Sequence, residues 1–198
     1  MSSDDVNNGR RRFLVATTSV VGAVGVGFAA VPFIQSWQPS AKAKAVGAPV
    51  EVNLSRLKEG QLLKVQWRGQ TIGVLHRTSE MVDGLHQNDD RLVDPESLDA
   101  EQPAYIKGEP RALKPDFLVV NMHCTHLGCI PTLVPEVGPQ PFDADWTGGF
   151  YCPCHKSKFD LSGRVYKGVP APTNLRIPPY SFATDLTVMI GVNPEGAA

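Results

Sequence analysis

All four cysteines and two of the five histidines lie in two short segments, Cys124-Thr125-His126-Leu127-Gly128-Cys129 and Cys152-Pro153-Cys154-His155. Each segment offers a thiol and an imidazole at close spacing, C-x-H in the first and C-x-x-H in the second. Two loops that each contribute one thiolate and one imidazole suit a 2Fe-2S centre in which one iron takes two Cys and the other two His. The ligand candidates are then Cys124, His126, Cys152 and His155. Zinc also accepts two Cys and two His, and a non-redox zinc-binding structural module is the competing reading, but it leaves Cys129 and Cys154 without a role. Each of these lies close to a ligand pair, Cys129 just beyond the first and Cys154 within the second, where a disulfide between them would pin the two loops together in an oxidising compartment.

The elements that must position these loops read as strands. Leu63, Val65 and Trp67 alternate with Lys64 and Gln66, and Leu186, Val188, Ile190 and Val192 alternate near the end of the chain, as half-buried strands should. Residues 117–122 are a near-continuous apolar run, which suits a strand covered on both faces. With 17 Pro and 18 Gly supplying turns, residues 49–198 are expected to form a mostly antiparallel, all-β domain. Small helical insertions are expected at 79–85 and 95–100.

The segment before this domain is of another kind. Residues 13–34 carry no charge over 22 positions, enough to cross a hydrocarbon core about 30 Å thick, and are read as a single transmembrane anchor. Arg10-Arg11-Arg12-Phe13-Leu14 immediately before it looks like a twin-arginine export signal, a receptor-read address. The positive-inside rule gives the same orientation, with residues 1–12 cytoplasmic and the bulk of the chain periplasmic at a bacterial inner membrane. Ser40-Ala41-Lys42-Ala43 has the small residues of a cleavage site, yet the apolar stretch exceeds the usual signal-peptide core of about 7–15 residues, which favours a retained anchor. Residues 35–48, rich in Ser, Pro, Ala, Lys and Gly, read as a hinge or linker.

Composition narrows the function classes. A formal net charge of -1 gives no basic footprint for nucleic acid, and no nucleophile elbow or phosphate loop is present. His123 adjoins a ligand, but the alternation of a strand turns it to the opposite face, a structural role. His76 and His86 are expected at the surface or in turns, and the carboxylates Asp89, Asp90, Asp143 and Asp145 in solvated loops.

The paired motifs C-T-H-L-G-C and C-P-C-H, followed by Ser157, Phe159-Asp160 and Ser162-Gly163-Arg164, resemble the Rieske iron-sulfur subunits of the cytochrome bc complex, ubiquinol-cytochrome c reductase. The likeness extends to the arginine-preceded anchor, the Ala-rich hinge and the segment Gly168-Val169-Pro170-Ala171-Pro172. It implies a Rieske-type fold with a cluster-binding subdomain at about 123–173 and one 2Fe-2S cluster. Cys124 and Cys152 would bind the inner iron, and His126 and His155, the groups that meet quinol, the outer one. It also implies a Cys129–Cys154 disulfide, Leu127 covering the cluster at a docking tip, and a Ser157 hydroxyl bonded to a cluster sulfide. The implied partners are cytochrome b and a c-type cytochrome in a membrane-embedded dimeric complex, with ubiquinol as electron donor and proton release coupled to electron transfer. The oxidoreductase would then show a potential that falls as pH rises through the ligand pKa of the oxidised form. Phe159, where many relatives have Tyr, should lower the potential, and Lys156, in place of the usual Gly, should raise it, while the loss of Gly puts the local turn in question if that turn needs positive φ. The Rieske subunit of a periplasmic molybdenum oxidase shares the export signal and the cluster motif, but a retained anchor with a long hinge argues against it.

Overall fold

The computed structural model describes residues 7–99 and 102–197. Most of the twin-arginine segment falls inside that range, while residues 1–6 of the expected cytoplasmic terminus, Ala100 of one expected insertion, and Ala198 lie outside the described residues. The chain divides into two units after Ala45.

The first unit is dominated by helix α1 (Asn8–Ser36), whose N-terminus is capped by the Asn7 side chain accepting the Arg10 N–H at 3.0 Å. The cap draws the arginines into the helix, so α1 begins before the uncharged stretch and ends after it. None of its described residues is buried, and it is long and apolar enough to cross a membrane. The stretch read as a linker contains a second helix, α2 (Ala41–Val46). The Ser40 hydroxyl accepts the Ala43 N–H at 3.1 Å, and alanine's high helix propensity supports the turn, so part of the linker is helical.

Among the described residues, the second unit is built from nine strands. These are β1 (Val50–Asn53), β2 (Leu62–Trp67), β3 (Gln70–His76), β4 (Phe117–Asn121), β5 (Thr132–Val134), β6 (Gly149–Tyr151), β7 (Lys158–Phe159), β8 (Tyr180–Thr184) and β9 (Thr187–Ile190). They form three antiparallel three-stranded sheets, ordered β1-β9-β8, β2-β3-β4 and β5-β6-β7. The all-β expectation holds. Every residue of β4 is buried, as its unbroken apolar run demands. The alternation ending at Val192 yields a shorter strand: Val188 and Ile190 are buried in β9, while Leu186 and Val192 flank it and stay exposed.

The insertion at 79–85 is helix α3 (Ser79–Asp83), capped by the Thr78 hydroxyl and continued by a 3-10 helix (Leu85–Arg91). Residues 95–99 form turns and bends instead of the expected helix. The Asp94 carboxylate accepts the N–H groups of Leu98 and Asp99 at 3.0 and 3.2 Å, and Ser97 takes φ +54°, so a side chain captures donors that a helix would have used.

The sheets around the metal-centre loops are held from behind by a buried turn at 160–164. The Asp160 carboxylate accepts the backbone N–H of Ser162 and of Arg164 at 2.9 and 2.7 Å, and Arg164 Nε at 2.8 Å. Two further buried guanidinium groups grip the same turn: Arg77 donates to Ser162 Oγ at 2.8 Å, and Arg111 donates to the Ser162 carbonyl at 3.0 Å. Desolvation lowers the pKa of Arg77 to about 10, which leaves it charged at neutral pH.

Strand β6 has one residue that no side chain can replace. Gly149 lies at φ +153°, and a Cβ there would run into the Phe159 carbonyl oxygen of β7. Gly149→Ala is expected to cost about 3 kcal/mol or more, the range reached by core strain, and to lower the thermal midpoint measured by circular dichroism; an unchanged midpoint would show that the β6–β7 pair can move apart.

Candidate metal centre

The two motif loops close on themselves in the same way. In the first, the Cys124 N–H donates to the Cys129 carbonyl and the Gly128 N–H to the Cys124 carbonyl, both at 2.8 Å. In the second, the Cys152 N–H donates to the Ser157 carbonyl at 2.8 Å and the Lys156 N–H to the Cys152 carbonyl at 2.9 Å. This shared backbone design needs a positive φ at its fifth residue: Gly128 supplies +80° and Lys156 +64°. The turn in question at Lys156 therefore does take a positive φ.

Their equivalent folds pair the donors, thiol with thiol and ring with ring. Cys124 and Cys152 are buried, with the Cys124 thiol within hydrogen-bonding reach of the Cys152 thiol and the Ser157 hydroxyl. The rings of His126 and His155 meet edge to face, centroids 4.8 Å apart, with His126 half-buried and His155 exposed. Cys129 and Cys154 are joined in a disulfide that covalently links the loops. The sulfurs of Cys129, Cys152 and Cys154 lie within 4.8 Å of one another, but the disulfide consumes two of them, which leaves two thiols and two imidazoles as free donors. Burial, foremost, pushes the Cys124 thiol pKa up, against hydrogen bonds from the His126 backbone and the Ser157 hydroxyl that lower it; loading iron must therefore displace the thiol protons.

The surroundings hold the loops in register. Ser157 is fully buried, and its hydroxyl oxygen accepts the Ala171 N–H at 3.1 Å, so its own proton stays available to a neighbouring sulfur. Thr125 donates its hydroxyl to the Thr173 carbonyl at 2.7 Å. The proline-containing segment 168–173 is thereby bonded to both loops. Leu127 projects at the tip, 71% exposed. Phe159 is buried in the core and pairs with Phe150 across β6 and β7.

Residues outside the motifs hold expectations that the structure changes. His123 accepts the Thr71 N–H at its Nε2, 3.3 Å away, as a structural residue should. His76 is no surface residue: it is half-buried at the end of β3, stacked on Phe117 with centroids 4.4 Å apart and 2.9 Å from the Leu57 carbonyl. His86 is exposed. Asp143 is not solvated either, its side chain being only 6% exposed between Arg91 and Lys158, each at 2.7 Å. Asp89 pairs with the buried Arg164 at 3.0 Å, whereas Asp90 and Asp145 are exposed. Arg91 and Lys158 both lie over the Tyr166 ring, 5.0 and 5.4 Å from its centroid. Sequence reasoning missed Asp143, Arg77 and Arg111 because their partners are distant in the chain; the one available signal was Asp143 lying between aromatic residues, Phe142 and Trp146.

This fold and donor set define a Rieske [2Fe-2S] domain, and the corresponding family model matches residues 49–180. A second model, described as Ubiquitinol-cytochrome C reductase Fe-S subunit TAT signal, matches residues 1–40. The chain is 56% identical to the ubiquinol-cytochrome c reductase iron-sulfur subunit of Allochromatium vinosum, over 96% of this chain and 92% of that protein. It is 44% identical to the subunit of the same name from Blastochloris viridis, over 96% and 97%, and 44% identical to that of Rhodospirillum rubrum, over 92% and 91%. The chain belongs to the family of Rieske iron-sulfur subunits of ubiquinol-cytochrome c reductase. The cofactor of this family is a Rieske-type 2Fe-2S cluster, and two buried thiols with two paired imidazoles fit its mixed ligation.

Replacing Cys129 or Cys154 by Ser removes a bond between residues 25 positions apart. In the chain-entropy account this costs about 3 kcal/mol, so both variants should unfold at lower temperature and reductant should do the same to the wild type; a midpoint insensitive to reductant would refute it. The Asp143 cluster has a signed pH effect. Burial raises the pKa of its carboxyl, but hydrogen bonds and charge from Lys158 and Arg91 outweigh this and hold it below the usual value of 3.8. Its stabilisation is complete above about pH 4, the unfolded value, and is lost as pH falls through the lower folded one. Denaturant titrations between pH 6 and pH 2 should therefore show a steeper acid loss for wild type than for Asp143→Asn.

Proposed function

We propose that this chain is the electron-carrying subunit of a membrane-bound quinol–cytochrome c oxidoreductase, with Cys124, Cys152, His126 and His155 as its cluster ligands. The observation that carries this reading is the pairing of two imidazoles, one of them exposed, on the same two loops that carry two buried thiols. The bound cluster supplies one-electron redox chemistry. Everything else is done by the chain. Cys124 and Cys152, both buried, would hold one iron, and His126 and His155, the latter exposed, would hold the other. The exposed imidazole of His155 has one nitrogen for the metal and one for a quinol hydroxyl, whose hydrogen bond and then proton it accepts. Leu127 offers an apolar contact beside it. The Ser157 hydroxyl donates toward sulfur and stabilises added negative charge there.

The remaining assignments follow from this role. Cytochrome b supplies the ubiquinol-oxidising site and a c-type cytochrome accepts the electron, within a dimeric membrane complex. Helix α1 is the single-pass anchor at residues 13–34, with residues 1–12 cytoplasmic. Residues 35–48 are a hinge, partly helical through α2, that carries a periplasmic domain of residues 49–198, with its cluster-binding part at 123–173. Ser157→Ala should lower the reduction potential, because a sulfur loses a hydrogen bond that favours the reduced state. Redox-titrated electron paramagnetic resonance on native membranes tests the whole reading: a Rieske-type signal sensitive to a quinol-site inhibitor is expected, and its absence from membranes containing the full-length protein would overturn the assignment.

A further inference from the structure

The tip of the domain is built from three loops, 124–130, 152–157 and 168–173. Their sequences, CTHLGCI, CPCHKS and GVPAPT, contain one permanently charged side chain, Lys156, and no carboxylate. Thr125 bonded to Thr173 and Ala171 bonded to Ser157 place the three loops side by side. The other cations of the cluster-binding part are engaged: Lys158 by Asp143, Arg164 by Asp160 and Asp89, and Lys167 by the Asp90 carbonyl at 2.9 Å. Lys156 is exposed, and its side-chain ammonium has no hydrogen bond, ion pair or ring contact among the described residues. It also holds the positive φ that its counterpart Gly128 adopts without a side chain. A non-glycine residue in this region is strained, and strain retained at an exposed tip is a pointer to function.

We infer that Lys156 is a docking residue, whose ammonium recognises a carboxylate on the electron-accepting cytochrome. This rests on the electron-transfer role proposed above and adds its recognition chemistry. A cation at the rim of an otherwise neutral tip steers a partner toward the exposed His155 next to it, and attracts only a surface of opposite sign. A quinol carries no charge for the ammonium to pair with, so the cation serves contact with a protein, which we take to be the electron acceptor.

The test uses the purified complex carrying K156Q, K156R or K156G. Electron paramagnetic resonance first establishes that each variant holds its cluster and gives its potential; failure of the wild type here would count against the electron-transfer role, not against docking. Reduction of the c-type cytochrome after quinol addition is then followed by stopped flow across ionic strength. Wild type and K156R should share a rate that falls as salt rises, since exposed pairs are screened over roughly 8 Å at physiological ionic strength. K156Q and K156G should be about three-fold slower at low salt, the size of an exposed ion pair, and should converge with wild type at high salt. K156G also removes the backbone strain, so a slow rate there cannot be assigned to misfolding. Two results overturn the proposal: charge-free variants that match wild type at every ionic strength, or a slowing that is independent of salt and follows the potential, which would make Lys156 a tuning residue.

Discussion

The metal centre depends on a buried turn that is held by charge. Residues 160–164 follow β7 directly, and β7 follows the second loop. The Asp160 N–H donates back to the Arg164 carbonyl at 2.9 Å, and the chain then returns until Ala171 reaches Ser157. Asp160 and Arg164 are both fully buried. Such a pair is a poor source of net stability, but removing one partner leaves an unpaired charge and costs about 3–5 kcal/mol. Its effect is therefore conformational: any arrangement of the turn that separates the two is strongly disfavoured. Arg164 also donates to the Leu85 carbonyl at 2.7 Å and the Pro95 carbonyl at 2.9 Å, which ties the turn to the insertion between β3 and β4. Arg77, from the end of β3, brings the central sheet to the same place.

With that support fixed, two loops distant in sequence can share one backbone design. Each spends its ligand cysteine's N–H and carbonyl on closing itself, so the thiols are aimed by main-chain geometry and little is left to side-chain freedom. Equivalent backbones carry unlike ligands: counting from each first cysteine, His126 is the third residue and His155 the fourth, while Cys154 occupies the position that corresponds to His126. The third and fourth positions are both directed to the tip, which allows one loop to use the third for its imidazole and the other to use it for the disulfide.

Residues whose roles depend on chemical type and short spacing were legible in the sequence. The C-x-H and C-x-x-H pairs picked out two thiols that the structure buries and two imidazoles that it pairs, and the alternation along β2 and the apolar run of β4 placed their strands. The turn at Lys156 could be questioned from the lost Gly alone, but that it takes a positive φ, +64°, was decided by the backbone closure it shares with the first loop. What escaped was decided by partners far along the chain or by local competition. Asp143 reads as a loop carboxylate until Arg91, 52 positions away, is brought to it. Residues 95–99 have a helix-compatible composition, but Asp94 takes their N–H groups. Ala-rich residues 41–46 read as linker because propensity and a Ser cap act without any apolar period.

The distribution of charge bears on how such a domain can work. Its strongest electrostatic contacts, around Asp160 and Asp143, are internal and set behind or beside the centre, while the tip is nearly neutral. Contact through the tip then rests on few side chains, chiefly Leu127 and the partly exposed Ile130. Burying one such side chain fully contributes roughly 1.5–3 kcal/mol, and association itself costs several kcal/mol or more. An interface of this size, even with one added ion pair, is weak and releases quickly. An electron carrier that must leave one partner to reach the next requires that weakness. The rigidity behind the tip keeps the donor atoms fixed through each exchange, so that docking can be brief without the centre having to reorganise.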